Sequence, residues 1–266
     1  MKLKNFLVPA GLVISSVLAV SSSAQAANFT TQVNQQNSDA TQDTWLQSIT
    51  QNGKTVSNFS LVKSANIIQN DKWTGGNTGA ASTDKGLNAT GPVAKEDPNS
   101  SDIAASLGNK NLNNIIDTED KGTFDINVFF DSLIQADNSG LDNLFFWERG
   151  KNSDLGIQAL DAAGNVIGNA LTLLRKDQAD AGYSISTTES GGSQKVGSWG
   201  VNLAQLGVTQ LSGLKLTTNA DFSGPDFKVV ARKTPEPGAM LGLGAVATLA
   251  FFRRRQRNNA ICKAAN

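Results

Sequence analysis

Carboxylates are the only side chains in the body of this sequence that could carry acid–base chemistry. The chain of 266 residues has no histidine, and its one cysteine is Cys262, close to the C-terminus. Catalysis by a serine–histidine or cysteine–histidine pair is therefore excluded. Zinc, copper and haem sites built on histidine or cysteine are excluded from the body for the same reason. An enzyme of this composition would have to work with aspartate and glutamate, as glycosidases do.

Among the four glutamates of the body, Glu148 has the most distinctive surroundings. It lies in the stretch FFWERG, between Trp147 and Arg149. An apolar environment would raise its pKa, as a general acid requires, whereas the neighbouring arginine would oppose that rise. A strand residue that faces solvent or pairs with a nearby base explains the same pattern, and we favour this structural interpretation. The other glutamates are Glu96, Glu119 and Glu189.

A run of hard oxygen ligands occurs in ADNSGLDN, from 136 to 143. Asp137, Ser139 and Asp142 resemble the start of a calcium loop, in which such ligands alternate around a tight turn. The glutamate that ends the calcium loop of an EF-hand is missing. The sequence Asp-Asn-Ser-Gly also favours an ordinary turn. We therefore expect a turn and no required cofactor, with calcium binding as the alternative.

Tryptophan rings could stack on sugars or fill a core between sheets. Trp147 and Trp199 lie in the most apolar segments, where a core position is expected. Trp73 lies beside the polar segment TGGNTG and is the candidate for an exposed glycan contact. The fourth ring, Trp45, lies neither in one of the most apolar segments nor beside this polar segment.

The body of the chain is mildly acidic once both ends are set aside. Residues 28–233 hold 16 basic and 22 acidic residues, although the whole chain has a net charge of zero. Such a surface is a poor match for the phosphates of nucleic acid, so we expect no nucleic-acid partner. The same charge suits a soluble protein outside the cell, where it opposes aggregation.

Short apolar alternations between turn signals predict an all-β fold. The stretch 123–130 alternates apolar and polar residues, and the stretch 141–150 is a dense apolar run. Asn52-Gly53 between two strand-like runs predicts a type I′ hairpin, and a turn at 162–165 joins two further strands. Roughly eight to ten such strands predict a two-sheet β-sandwich of jelly-roll type.

One long polar stretch interrupts this pattern between Trp73 and Asp120. It is rich in Gly, Asn and Ser and contains two prolines. We expect a long loop here, with one short helix near 102–107 that Asp102 would cap. A loop of this length is either functional or mobile.

The first 26 residues have the parts of a secretory signal peptide. A positively charged start is followed by an apolar stretch and by the small-residue cleavage site Ala24-Gln25-Ala26. We predict removal by signal peptidase and a mature chain that begins at Ala27, so that the folded domain occupies 27–233. An uncleaved anchor helix is the alternative.

The C-terminal segment, 234–266, combines a turn motif, an apolar run and a basic cluster. The motif is Pro235-Glu236-Pro237, and the cytoplasmic stop is Arg253, Arg254 and Arg255. The apolar run 238–252 would form a helix of roughly 22 Å, whereas the hydrocarbon core of a bilayer is about 30 Å thick. We therefore expect transient membrane association, with the arginines in the cytoplasm and the body beyond the inner membrane.

These features of the tail resemble the PEP-CTERM sorting signal. The resemblance implies that an exosortase, a membrane transpeptidase or protease, recognises the tail and cuts near the motif. It also implies a final location at the cell surface, in the outer envelope or in the extracellular matrix. The body resembles exosortase-dependent surface proteins of cyanobacteria, which have no assigned catalytic residues, in LDNLFFWERGKNSDLGIQALDAAGNVIG and in SWGVNLAQLGV followed later by GPDFKVVAR.

Together, these observations predict a non-enzymatic secreted or cell-surface protein associated with exopolysaccharide. Two alternatives stay open. One is a lectin-like module that binds glycans and could use calcium. The other is a carboxylate-based enzyme acting on glycans, with Glu148 as its candidate acid.

Overall fold

The chain is described here from a computed structural model, which covers residues 29–35 and 39–234. The predicted signal peptide and the predicted sorting tail lie outside the described residues. Within them, no helix has the length and apolar character that crossing a membrane requires.

Antiparallel strands make up about half of the described chain. The strands are β1 (Phe29–Gln35), β2 (Thr44–Gln51), β3 (Lys54–Val56), β4 (Phe59–Ser60), β5 (Val62–Asn70), β6 (Ala81–Asp84), β7 (Ile115–Thr118), β8 (Phe124–Gln135), β9 (Leu144–Arg149), β10 (Leu155–Leu160), β11 (Val166–Leu173), β12 (Ala179–Ile185), β13 (Gln194–Val201), β14 (Gln210–Thr218) and β15 (Phe227–Arg232). The α-helix of the described part is α1 (Ser100–Leu107), and two short 3-10 turns cover Arg175–Asp177 and Leu203–Leu206.

The strands form three sheets. The outer sheet has the order β11-β10-β14-β8-β5, and the central sheet has the order β12-β13-β9-β15-β7-β6, with β4 also paired to β15. The small sheet has the order β1-β2-β3. The all-β prediction is confirmed in its general form, and the prediction of two sheets misses the small one.

The main core lies between the outer and central sheets. In β8, alternate residues Phe124, Ile126, Val128 and Phe130 point into it, as the sequence pattern predicts. The facing surface of the central sheet contributes apolar residues from β9, β13 and β15. This packing buries one face of each sheet and stabilises the sandwich through the hydrophobic effect.

A second core lies on the opposite face of the central sheet, where the small sheet packs. Phe29 from β1 meets Phe145 and Trp147 from β9 edge-to-face, with ring centroids 5.0 and 6.0 Å apart. The indole N–H of Trp147 also donates to Thr31 Oγ1 at 2.9 Å. Because β9 is covered on both faces, all six of its residues are buried, which explains why its sequence is a continuous apolar run.

Both predicted hairpins are present. Asn52 and Gly53 join β2 to β3 with φ angles of +51° and +70°, the left-handed conformations that a type I′ turn requires. The turn before β11 closes through the backbone N–H of Asp161, which donates to Asn165 O at 3.0 Å.

The predicted long loop is wrong over much of its length. The segment between Trp73 and Asp120 contains β6, α1 and β7, and the two strands pair with each other in the central sheet. The predicted helix is present but begins earlier, and Asn99 caps it rather than Asp102. Asp102 instead accepts from the backbone N–H of Asn99 at 3.0 Å, which completes a capping box.

Gly168 in β11 occupies a position that tolerates no side chain. Its φ is +65°, and a Cβ there would lie 2.1 Å from Leu206 O. Replacing Gly168 by alanine should therefore lower the free energy of unfolding by about 2–3 kcal/mol, measured by urea denaturation. Gly192, which has open space around it, is the matched control and should change by less than about 0.5 kcal/mol. Equal losses in the two variants would contradict the packing at Gly168.

Candidate functional site

The most highly charged site of the described chain is centred on Arg149, at the end of β9. Its guanidinium forms ion pairs with Asp84 at 2.8 Å, with Asp117 at 2.8 Å and with Asp226 at 2.7 Å. It also donates to the hydroxyl of Thr187. Burial alone would lower the pKa of Arg149, but the three carboxylates outweigh that effect and raise it. The guanidinium is therefore a permanent buried cation.

Strand register brings these four charged residues together. Arg149 shares the β9 face of Phe145 and Trp147, because side chains alternate along a strand. Asp84 ends β6, Asp117 lies in β7 and Asp226 directly precedes β15. Since β15 pairs with both β9 and β7, and β7 pairs with β6, one guanidinium ties four segments of the central sheet together.

Asp84 also fixes the turn that follows β12. Its carboxylate accepts from the backbone N–H of Thr188 at 3.1 Å, from the Thr188 hydroxyl and from the backbone N–H of Glu189 at 3.3 Å. Burial raises the pKa of Asp84, while the hydroxyls of Thr187 and Thr188 oppose that rise. The turn and Arg149 are thus held by the same carboxylate.

A polar cavity of about 240 Å³ opens above Arg149. Its acidic lining residues are Asp117, Glu119, Asp120, Glu189 and Asp226. Partial burial, together with repulsion from neighbouring carboxylates, raises the pKa of Glu189 to about 7 and raises that of Glu119 as well. One arginine therefore faces an excess of acids, and this cavity should repel phosphates and other anions.

Asp117 and Asp226 both face the guanidinium of Arg149. Burial, together with the charge of Asp117, raises the pKa of Asp226. Both also bind the same nitrogen of Arg149. Glycosidases place their two carboxyl groups on either side of the scissile bond, whereas this pair is bound to Arg149.

Glu148, the acid that the sequence singles out, lies on the opposite face of β9 from Arg149. It is fully buried in the sandwich, so it does not face solvent, and its hydrogen-bond partner is the Gln178 amide at 3.0 Å rather than a base. Oε1 of Glu148 has no partner among the described residues. Burial raises the pKa of Glu148 to about 8. A sugar cannot reach this carboxyl in the folded domain.

The three calcium candidates form part of a closed turn. Both oxygens of Asp137 bind the guanidinium of Arg232, at 2.6 and 2.9 Å, and Asp137 also accepts from the Ser139 hydroxyl at 2.5 Å. Asp142 accepts from the Gln51 amide at 2.7 Å. In the range 29–35 and 39–234, no group of three acidic or cysteine side chains is arranged to hold a metal ion.

The four tryptophans form a buried pair and an exposed pair. Trp147 and Trp199 are buried in the two cores, which confirms the expected core positions. Trp73 is 38% exposed, and its indole N–H donates to Gly76 O at 3.2 Å. Its role as a glycan contact stays a prediction. Trp45 is also exposed.

Lys228 is a buried cation that the sequence reasoning missed. It lies on β15 with no exposed surface, and its ammonium donates to Ser106 O at 2.5 Å and to Asn109 Oδ1 at 3.3 Å. Burial lowers its pKa. The position of Lys228 at the carbonyl end of α1 suits a cation, because the helix dipole is negative there. The sequence feature that could have indicated this buried cation is a lysine inside the apolar run FKVVA.

The sorting residues Ala24, Ala26, Pro235, Glu236, Pro237, Arg253, Arg254 and Arg255 lie outside the described residues. No protein-family model, no curated protein and no solved structure matches this chain.

Proposed function

We propose that this chain is a non-enzymatic exported protein that an exosortase processes at the membrane and that joins the exopolysaccharide matrix at the cell surface. The observation that carries this proposal is the pairing of two sorting segments around one folded β domain. The N-terminal segment ends in Ala24-Gln25-Ala26, and the C-terminal segment begins with Pro235-Glu236-Pro237.

The position of the last strand supports this order of events. β15 ends at Arg232, and only Lys233 and Thr234 separate it from Pro235. A cut near the motif would therefore leave every described strand in the mature protein. The apolar segment and the arginines would be discarded with the tail, so that membrane association is transient.

The placement of the carboxylates supports a non-enzymatic role. Glu148 is enclosed in the core, and Asp117 and Asp226 are engaged with Arg149. We propose a jelly-roll sandwich that works through its surface, with exopolysaccharide as its partner. Signal peptidase and the exosortase contact it only during processing.

Cell fractionation tests the proposed location. The mature domain should be recovered from the outer envelope and the medium, and released in part when the matrix polysaccharide is removed. Recovery of the full-length chain from the cytoplasm alone would contradict the proposal.

A further inference from the structure

We propose that the exposed face of the outer sheet binds a neutral polysaccharide chain, along a track that runs from Phe222 towards Phe129. This inference rests on the proposed association with matrix polysaccharide and gives that association a site. The cavity at the start of the track shares no lining residue with the acidic cavity around Arg149.

A small cavity of about 120 Å³ marks one end of the track. It opens on the exposed face between β10, β11 and β14, and its polar side chains are Gln158, Thr172, Lys215 and Thr217. The half-buried ring of Phe222 completes its wall. An aromatic face beside hydroxyl, amide and amine groups is the combination that binds a sugar, since a sugar ring has an apolar face and a polar edge.

The ring of Phe222 is held in place by its backbone. The N–H of Phe222 donates to Asn219 O at 3.0 Å, and its carbonyl accepts from the N–H of Asp154 at 2.9 Å. Arg175 binds Asp154 at 3.0 Å and also donates to Asp221 O at 2.9 Å. A ring that is fixed before binding loses little conformational entropy when a ligand stacks on it.

The cavity floor is open because Gly156 has no side chain. A Cβ at Gly156 would lie 2.3 Å from Thr217 Oγ1 and 3.6 Å from the Phe222 ring. Thr172 and Thr217 line the cavity, and a hydroxyl can both donate to and accept from the hydroxyls of a sugar. The floor therefore places an aromatic ring and two hydroxyls side by side.

A polar row extends the site across the sheet. Gln158 lies opposite Lys215, and Lys215 lies opposite Asn127. On the same face, the half-buried ring of Phe129 lies over Gly213, where a Cβ would come within 2.9 Å of it. Gly213 is four residues from Thr217, a separation of about 13 Å along a strand. This distance exceeds one sugar ring, which favours a chain over a single sugar.

The charges on this face select a neutral ligand. The ammonium of Lys215 binds Asp125 at 2.6 Å, so the two formal charges cancel within the site. An acidic polysaccharide would find no free cation here, and a polymer of neutral hexoses needs none. The chemistry of the face therefore points to neutral sugars.

Affinity electrophoresis of the mature domain tests the site, with dextran, a β-glucan and a galactomannan as neutral probes and polygalacturonate as the acidic one. We expect retardation by at least one neutral polymer and none by polygalacturonate. Phe222→Ala should weaken that binding by at least about tenfold, whereas Trp45→Ala, which removes an exposed ring from the small sheet, should leave it unchanged. Thr217→Val keeps the side-chain volume and should weaken binding by about threefold or more.

Three results would overturn the proposal. The first is that no neutral polymer retards the unmodified domain. The second is that Phe222→Ala and Thr217→Val both bind as the unmodified domain does. The third is that Trp73→Ala loses binding while Phe222→Ala keeps it. If Phe222→Ala does not fold, Thr217→Val alone decides. Failure of binding in a protein that is exported and trimmed as proposed would reject this site while leaving the sorting proposal intact.

Discussion

Replacing Arg149 by methionine should lower the free energy of unfolding by about 3–5 kcal/mol, the usual effect of removing one partner from a buried ion pair. Asp84, Asp117 and Asp226 would lose the only cation that binds them in the described chain. Methionine keeps much of the side-chain volume, so the loss reports charge and hydrogen bonds rather than a cavity. Urea denaturation at pH 7 measures it.

The loss in this variant should depend on pH. Without the arginine, the carboxylates repel one another, so the pKa values of Asp84 and Asp226, which burial already raises, rise further. A group whose folded pKa is raised stabilises the fold while it stays protonated, so the variant should recover stability as pH falls from 7 towards 5. Lys95→Ala is the control, because its ion pair with Asp102 is largely exposed and should contribute at most about 1 kcal/mol. Equal losses at pH 7 and pH 5 would contradict the account of the Arg149 site.

Replacing Glu148 by glutamine should stabilise the domain at alkaline pH, an unusual result for a fully buried position. Burial raises the pKa of Glu148 to about 8 in the folded domain, against about 4.5 for a glutamate in water. Between these values the folded state binds a proton that the unfolded state has lost. The free energy of unfolding therefore falls as pH rises from about 4.5 to about 8. Since each pKa unit corresponds to about 1.4 kcal/mol, the full effect is at most about 5 kcal/mol.

Glutamine cannot ionise, and its amide group can still accept from Gln178, which donates to Glu148 at 3.0 Å. The variant should thus lose this pH dependence and exceed the unmodified domain by about 3–5 kcal/mol above pH 8. Glu189→Gln is the comparison, because Glu189 lies at an exposed rim and should change less. A pH-independent difference between Glu148→Gln and the unmodified domain would show that Glu148 is already ionised in the fold.

Local sequence patterns predict individual strands well in this protein. The alternation in β8 and the Asn52-Gly53 turn each depend on neighbours in the chain, and both are confirmed. The continuous apolar run of β9 also indicated a buried strand. It could not indicate what covers each face, because the small sheet comes from residues about a hundred positions away.

The Arg149 site could not be predicted from the sequence for a related reason. Asp84, Asp117 and Asp226 are separated by 65, 32 and 77 residues from Arg149, and no spacing rule relates such distant positions. The sequence drew attention to the neighbouring Glu148 instead. Because side chains alternate along a strand, Glu148 and Arg149 lie in different environments, one in the core and the other in an acidic cluster.

The half-buried ring of Phe222 illustrates the same limit of sequence patterns. Phe222 lies between two strands in a turn-rich segment, where a single aromatic residue carries no signal. Its significance appears only once Asp154 and Arg175 fix the turn against β10. The glycan contact that the sequence did suggest, Trp73, does not line this cavity and is the rival contact in the binding test.

The intact mass of the mature protein, measured from unmodified cells and from cells lacking the sorting protease, distinguishes a cleaved sorting tail from a permanent anchor. We predict a mature chain that begins at Ala27, ends near Pro235–Gly238 and lacks Arg253–Arg257 in unmodified cells, and one that keeps the arginines when the protease is absent. A mature chain from unmodified cells that retains Arg253–Arg257 would contradict the account, because the tail would then be a permanent anchor.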